Sequence, residues 1–169
     1  MIEQHYLDES LFQLRKLKAQ AERAMAQVDD SQFFELLDAD ANSIALIVKH
    51  VTGNMRSRWT DFLTSDGEKP DRRRDGEFEL DGSDTREAML ARWEVAWELL
   101  FQTIAALGPD DLGRTVTIRK EPHTVVQAIN RQVSHYSAHV GQIVLLAKHF
   151  AGQNWQTLSI PKKKSPRLS

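Results

Sequence analysis

The sequence contains no cysteine. That excludes disulfides, thiolate zinc sites, cysteine-ligated iron–sulfur clusters and a cysteine nucleophile. Any metal held here must therefore take His, carboxylate or carbonyl ligands. The chain also lacks an apolar run of the ~18 residues that a membrane span needs. Residues 1–30 are charged throughout and carry no apolar stretch of a secretory leader. Charge of one sign is missing too: 22 Lys+Arg against 24 Asp+Glu leave a net −2, which gives no global case for nucleic acid. Neither a membrane nor nucleic acid is thus an expected partner, and a cytoplasmic location is the simplest expectation. What is present, 169 residues with 41 % hydrophobic and 27 % charged, is the composition of one ordinary globular domain with a sizeable core.

Apolar residues recur at spacings of three and four in four long segments, the signature of amphipathic helices. Residues 2–29 carry Leu7, Leu14, Ala21 and Met25 on one face. Residues 41–64 carry Ile44, Ile47, Val51, Met55 and Trp59, with Asp40 or Asn42 as candidate caps. Gly53 interrupts this helix at a cost of roughly 1 kcal/mol relative to Ala, as expected where another part of the chain packs closely. Residues 84–107 carry Met89, Trp93, Trp97, Leu100 and Ile104, with Asp84 and Glu87 at capping-box spacing. Residues 123–151 carry Ile129, Tyr136, Val140, Ile143 and Ala147. Residues 114–120 alternate polar and apolar and could form a short extended segment. The expected fold class is all-α, a four-helix bundle.

Two stretches fall outside this pattern. Residues 65–83, SDGEKPDRRRDGEFELDGS, hold two Asp-Gly pairs and a Lys-Pro, which forbid a regular helix and predict a long charged loop between the second and third helices. Asp75 and Glu77 are expected to pair with Arg56 or Arg58 and pin that loop to the bundle, with lid action as a possible consequence. Residues 152–169 end in IPKKKSPRLS and are expected to form a basic tail, flexible or draped over a neighbour, outside a bundle of residues 1–151.

Six histidines remain to be explained. His135 and His139, at i and i+4, share a helix face. At about 100° per residue, they lie about 100° and 60° to the same side of Tyr136. On the second helix His50 and Asn54 lie about 100° and 60° around from Val51. Each helix thus offers His beside its apolar stripe, and facing helices of a bundle can bring such side chains into one site. Periodicity alone favours partly buried imidazoles satisfied by backbone or neighbouring polar groups over a metal site. His5 and His149 read as surface residues, and His123 as a residue opening the last helix. Arg58 and Arg131 could steer an anion or serve in surface ion pairs.

His50 followed by Asn54, then His135-x-x-x-His139 on the last helix of a bundle, resembles the DinB/YfiT-like metalloenzyme superfamily. The stretch NMRSRWTDFLTSDGEKPDRRRDGEF, Asn54 to Phe78, is similar to the signature of one of its branches, N-M-x-S-R-W-x-D-F-L…D-G-E-K-P…R-x-R-D-x-E-F. The resemblance covers nearly the whole chain through residue 151. It implies a divalent ion, commonly zinc or nickel, bound by His50, His135 and His139, and it implies frequent homodimers. Relatives of this kind include transferases and isomerases that use small-molecule thiols, and metal-dependent hydrolases. The expected function is therefore a metal-dependent enzyme acting on a small molecule by thiol transfer or hydrolysis. With no cysteine in the chain, a low-molecular-weight thiol would come from outside. The alternative is a non-catalytic, metal-stabilised dimeric bundle with a stress-related or binding role. Asn54, one turn after His50, could contact the substrate or water at the metal, or be an ordinary helix amide.

Overall fold

A computed structural model describes residues 1–160. It is mostly helical, with five α-helices and one two-stranded hairpin: α1 (Ile2–Met25), α2 (Asp30–Phe34), α3 (Ile44–Trp59), α4 (Arg86–Ala105), β1 (Thr115–Ile118), β2 (Glu121–Thr124) and α5 (Val125–Ala151). The long helices α1, α3, α4 and α5 enclose the core. α3 lies chiefly against α4, and α1 against α5, while a narrower α3–α5 seam joins the two pairs. At the centre Trp59, Trp93, Trp97 and Tyr136 are essentially inaccessible to solvent. The Trp59 indole N–H donates to the Tyr136 hydroxyl over 3.1 Å, and that hydroxyl donates to Asn54 Oδ1 over 3.0 Å. A polar link therefore crosses the α3–α5 seam, while the nearby Trp97 indole N–H is buried without an acceptor.

Local chemistry sets the helix boundaries a few residues inside those expected. The first helix stops at Met25, because Asp29 caps the separate α2 through a reciprocal pair with Gln32. Ser43, rather than Asp40 or Asn42, caps α3 by accepting from Leu46 N over 3.2 Å. Thr85, rather than Asp84, caps α4 by accepting from Ala88 N. The Asp84 carboxylate is instead buried between Lys49 and Arg92, each at 2.6 Å, where it ties α3 to the start of α4. At the far end of α5, Gly152 adopts φ +55°, a backbone state that favours glycine and stops the helix.

The extended segment at 114–120 is half of a hairpin, paired from Thr115↔Thr124 to Ile118↔Glu121. This is the departure from an all-α chain. His123 consequently sits on β2 rather than opening the last helix, which Thr124 caps. The turn residues Arg119 and Lys120 both have positive φ, 55° and 65°, the conformation for which Asn-Gly is usual. The strain is offset from outside the hairpin, since the Asp66 carboxylate accepts both their N–H groups, at 2.9 and 2.7 Å.

Residues 152–158 lie against the helices: Trp155 and Leu158 pack on the core, and Gln27 exchanges hydrogen bonds with the Gln156 backbone at 2.7 and 3.0 Å. The lysine run expected as a tail lies outside the described residues. Among the described residues no helix is long and apolar enough to cross a membrane.

Candidate metal centre

Three imidazoles meet at the α3–α5 seam. His50 comes from the middle of α3, and His135 and His139 come from successive turns of α5. His135 Nε2 lies 3.3 Å from His50 Nε2 and 3.1 Å from His139 Nε2. All three ligand atoms fall within 4.8 Å of one another. Zinc–nitrogen bonds of about 2.0–2.1 Å at the tetrahedral angle place two ligand nitrogens about 3.3 Å apart. The two spacings at His135 therefore fit imidazoles arranged around one small ion. The other three histidines stay away: His5 and His149 are exposed, and His123 Nδ1 faces the Glu121 carbonyl at 3.0 Å.

The opposite ring nitrogens explain why the Nε2 atoms turn inward. His50 Nδ1 lies 2.9 Å from Glu77 Oε2. An ionised carboxylate only accepts, so Nδ1 carries a proton and Nε2 is the nitrogen turned toward the cluster. His139 Nδ1 lies 2.8 Å from the Gln142 side-chain oxygen, which sets the same tautomer. His135 Nδ1 is buried without a partner. Burial pushes the His135 imidazole down to about 3, with the neighbouring His139 and His50 rings and the Arg58 and Arg72 charges adding to the effect. Burial also lowers His139. Both are therefore neutral near pH 7, the state a metal requires of its ligands.

Glu77 is the residue that sequence reasoning placed on the wrong partner. It stands on a 3₁₀ turn, Asp75–Phe78, within the long loop. Arg72 grips it in a fork, Nε to Oε1 and Nη2 to Oε2, both at 2.8 Å. Burial raises the Glu77 carboxyl, and hydrogen bonds from His50 and Arg72 with the Arg72 charge more than reverse this, leaving it below the usual carboxylate range. Phe78, the next residue, stacks on the His50 ring at 4.9 Å between centroids. The loop is indeed pinned to the helices, but by other pairs than expected: Arg56 meets Asp71 at 3.2 Å and Arg58 meets Glu68 at 3.0 Å.

Gly53 owes its identity to this carboxylate. A Cβ built there would sit 2.4 Å from Glu77 Oε1. The oxygen cannot yield freely, because Arg72 holds it while His50 holds the other oxygen of the same carboxylate. In an exposed helix Gly→Ala would stabilise by about 1 kcal/mol. Here Gly53→Ala is expected to lower the melting temperature and to weaken zinc binding by about 10–100-fold, the usual effect of disturbing a ligand's supporting group. A higher melting temperature in differential scanning calorimetry would refute the packing account.

Asn54 is buried, one turn beyond His50, with its Oδ1 engaged by Tyr136. Among the described residues no fourth His or carboxylate joins the three imidazoles. Glu77 reaches the far nitrogen of His50 and so orients a ligand rather than adding one. A set of three protein ligands leaves room for an exogenous one, whereas structural zinc sites are closed by four.

No curated protein matches the chain. A family model covers nearly all of it: the chain belongs to the DUF1572 family, described as a protein of unknown function, which matches residues 1–164.

Proposed function

We propose that the protein is a divalent-metal-dependent enzyme acting on a small molecule, with zinc or nickel bound by His50, His135 and His139 in a DinB/YfiT-type four-helix bundle. The observation that carries this reading is the convergence of three Nε2 atoms at metal-ligand spacing, with His50 buttressed by a buried carboxylate. Such carboxylate–histidine pairs accompany metal ligands because they fix the tautomer and raise ligand basicity. When bound, the ion would supply Lewis acidity, polarising a substrate or acidifying water or a thiol.

The chain's own residues perform the remaining tasks. Glu77 and Gln142 hold two imidazoles in the ligating tautomer. Phe78 covers one face of His50 and keeps water from it. Asn54 contributes a polar group to the adjoining cavity wall. Thiol transfer with an exogenous low-molecular-weight thiol, or hydrolysis, is the reaction class we assign. A homodimer acting in the cytoplasm completes the proposal.

The test is metal content of untagged protein by inductively coupled plasma mass spectrometry, before and after reconstitution. About one zinc or nickel per chain is expected. In structural zinc sites about 10–16 kcal/mol is spread over four ligands, so His135→Ala should lose about 3 kcal/mol, roughly two orders of magnitude in affinity. Substoichiometric metal after reconstitution, unchanged by His135→Ala, would overturn the reading. A large loss of melting temperature on chelation, without reactivity toward any thiol or ester, would instead assign the ion a structural role.

A further inference from the structure

Beside the imidazoles, a cavity of about 340 Å³ opens to the surface, and His50 and His135 form part of its wall. Five arginines line the rest: Arg58, Arg72, Arg74, Arg119 and Arg131. Only two carboxylates answer them. Glu68 contacts Arg58, Arg72 and Arg119, and Glu77 contacts Arg72. Neither carboxylate lines the cavity, and five positive charges against two negative leave an excess of three. Among the described residues Arg74 and Arg131 have no carboxylate partner at all.

Two buried polar groups in the same wall are left unmatched. The Arg58 side chain is 4 % exposed, yet its Nε–H finds no acceptor. Gln132 is 3 % exposed, and its Oε1 finds no donor. Unmatched buried groups are costly and usually mark a missing ligand or water. A guanidinium N–H calls for an anionic oxygen, and the Gln132 oxygen calls for an O–H or N–H beside it. Guanidinium forks match carboxylate and phosphate geometry. The volume suits a small molecule.

We propose that this cavity binds the anionic group, carboxylate or phosphate, of a small-molecule substrate whose reactive end faces His50 and His135. The second half rests on the metal-dependent reading above, and the first half does not. The exposed Arg131 and Arg74 supply charge and hydrogen bonds, and the buried Arg58 brings an unmatched Nε–H to the same wall. Glu68 keeps Arg58 and Arg72 in place.

The probes are inorganic phosphate and succinate, titrated calorimetrically into the full chain after chelation, with succinamide as the uncharged control. Saturable one-site binding of at least one anion is expected, with none of succinamide. Arg131→Gln and Arg74→Gln, at exposed positions without ion pairs, should each weaken it by about tenfold or more, the worth of one charge-assisted hydrogen bond. Binding of phosphate alone supports a phosphorylated substrate, and of succinate alone a carboxylate. No saturable binding of either anion, equal binding of succinamide, or undiminished affinity in the double variant overturns the proposal. Metal analysis of the same samples separates the two readings. His139, which does not line this cavity, gives the converse variant: His139→Ala should lose the ion and keep the anion, and the arginine variants the reverse.

Discussion

Glu77→Ala is expected to lower stability by about 3 kcal/mol, the lower end of the range for breaking a buried ion pair, and zinc affinity by about 10–100-fold. The lower end applies because Arg72, 4 % exposed along its side chain, keeps a second carboxylate, Glu68, at 3.1 Å. The metal effect has a separate origin. Without Glu77, the His50 ring loses the acceptor that fixes its proton on Nδ1, and its inward lone pair is no longer guaranteed. Glu77→Gln distinguishes the two, since an amide oxygen still accepts from His50 or Arg72 but carries no charge. That variant should recover part of the zinc affinity and little of the stability. Urea unfolding and competitive zinc titration measure the pair of effects. Wild-type zinc affinity in Glu77→Ala would show that the carboxylate has no part in the metal site.

The second large effect is on acid stability of the metal-free protein, in two stages. In the folded chain His135 is pushed down to about 3, chiefly by burial, and His139 is lowered by burial as well. An unfolded histidine takes up its proton near pH 6.5. Below that pH the unfolded state binds more protons, so stability falls as pH drops from about 6.5 toward 3. The lower stage belongs to Glu68, Glu77 and Asp84. Burial pushes each carboxyl up, but hydrogen-bonded and basic partners reverse it: Arg72 and Arg58 at Glu68, His50 and Arg72 at Glu77, and Lys49, the Asp81 N–H and Arg92 at Asp84. Their contribution is complete above about pH 4.5 and is lost as pH falls through their lowered values. Each proton in play contributes a slope of up to about 1.4 kcal/mol per pH unit. Urea midpoints should therefore decline already between pH 6.5 and 5, more steeply than in His135→Gln. A flat profile across that interval would contradict the neutral, buried imidazoles.

Much of this arrangement is legible in the sequence, for identifiable reasons. Helix periodicity marks the buried faces, because Trp59, Trp93, Trp97 and Tyr136 recur at core positions. The same angular reasoning puts His50 and His135/His139 on the flanks of their stripes, which is where a seam between two helices brings them together. What fails is what depends on the path of an irregular chain. No local rule assigns Glu77 to His50, since the carboxylate arrives from 27 residues away on a loop without periodicity. The hairpin turn hides because Arg119 and Lys120 lack turn chemistry of their own and borrow it from Asp66. Helix starts shift by a few residues because Asp, Asn, Ser and Thr cluster before α3 and α4, and any of them can cap.

The loop's attachments have a consequence for how the protein responds to its ligands. Gly67 N–H bonds to the Thr117 carbonyl on β1, and its carbonyl accepts from Ser57 and Arg58 on α3. Asp66 holds the hairpin that leads into α5, and Glu77 holds His50 on α3. One segment thus fastens together the two helices whose imidazoles must meet. Closing the segment and gathering the imidazoles become one linked equilibrium. Linkage is reciprocal: by whatever factor the fastened loop tightens an ion, a bound ion must slow exchange and proteolysis of the loop by biasing it closed. Slower amide exchange at Asp66, Gly67 and Glu77 would in this way report an ion held between the helices.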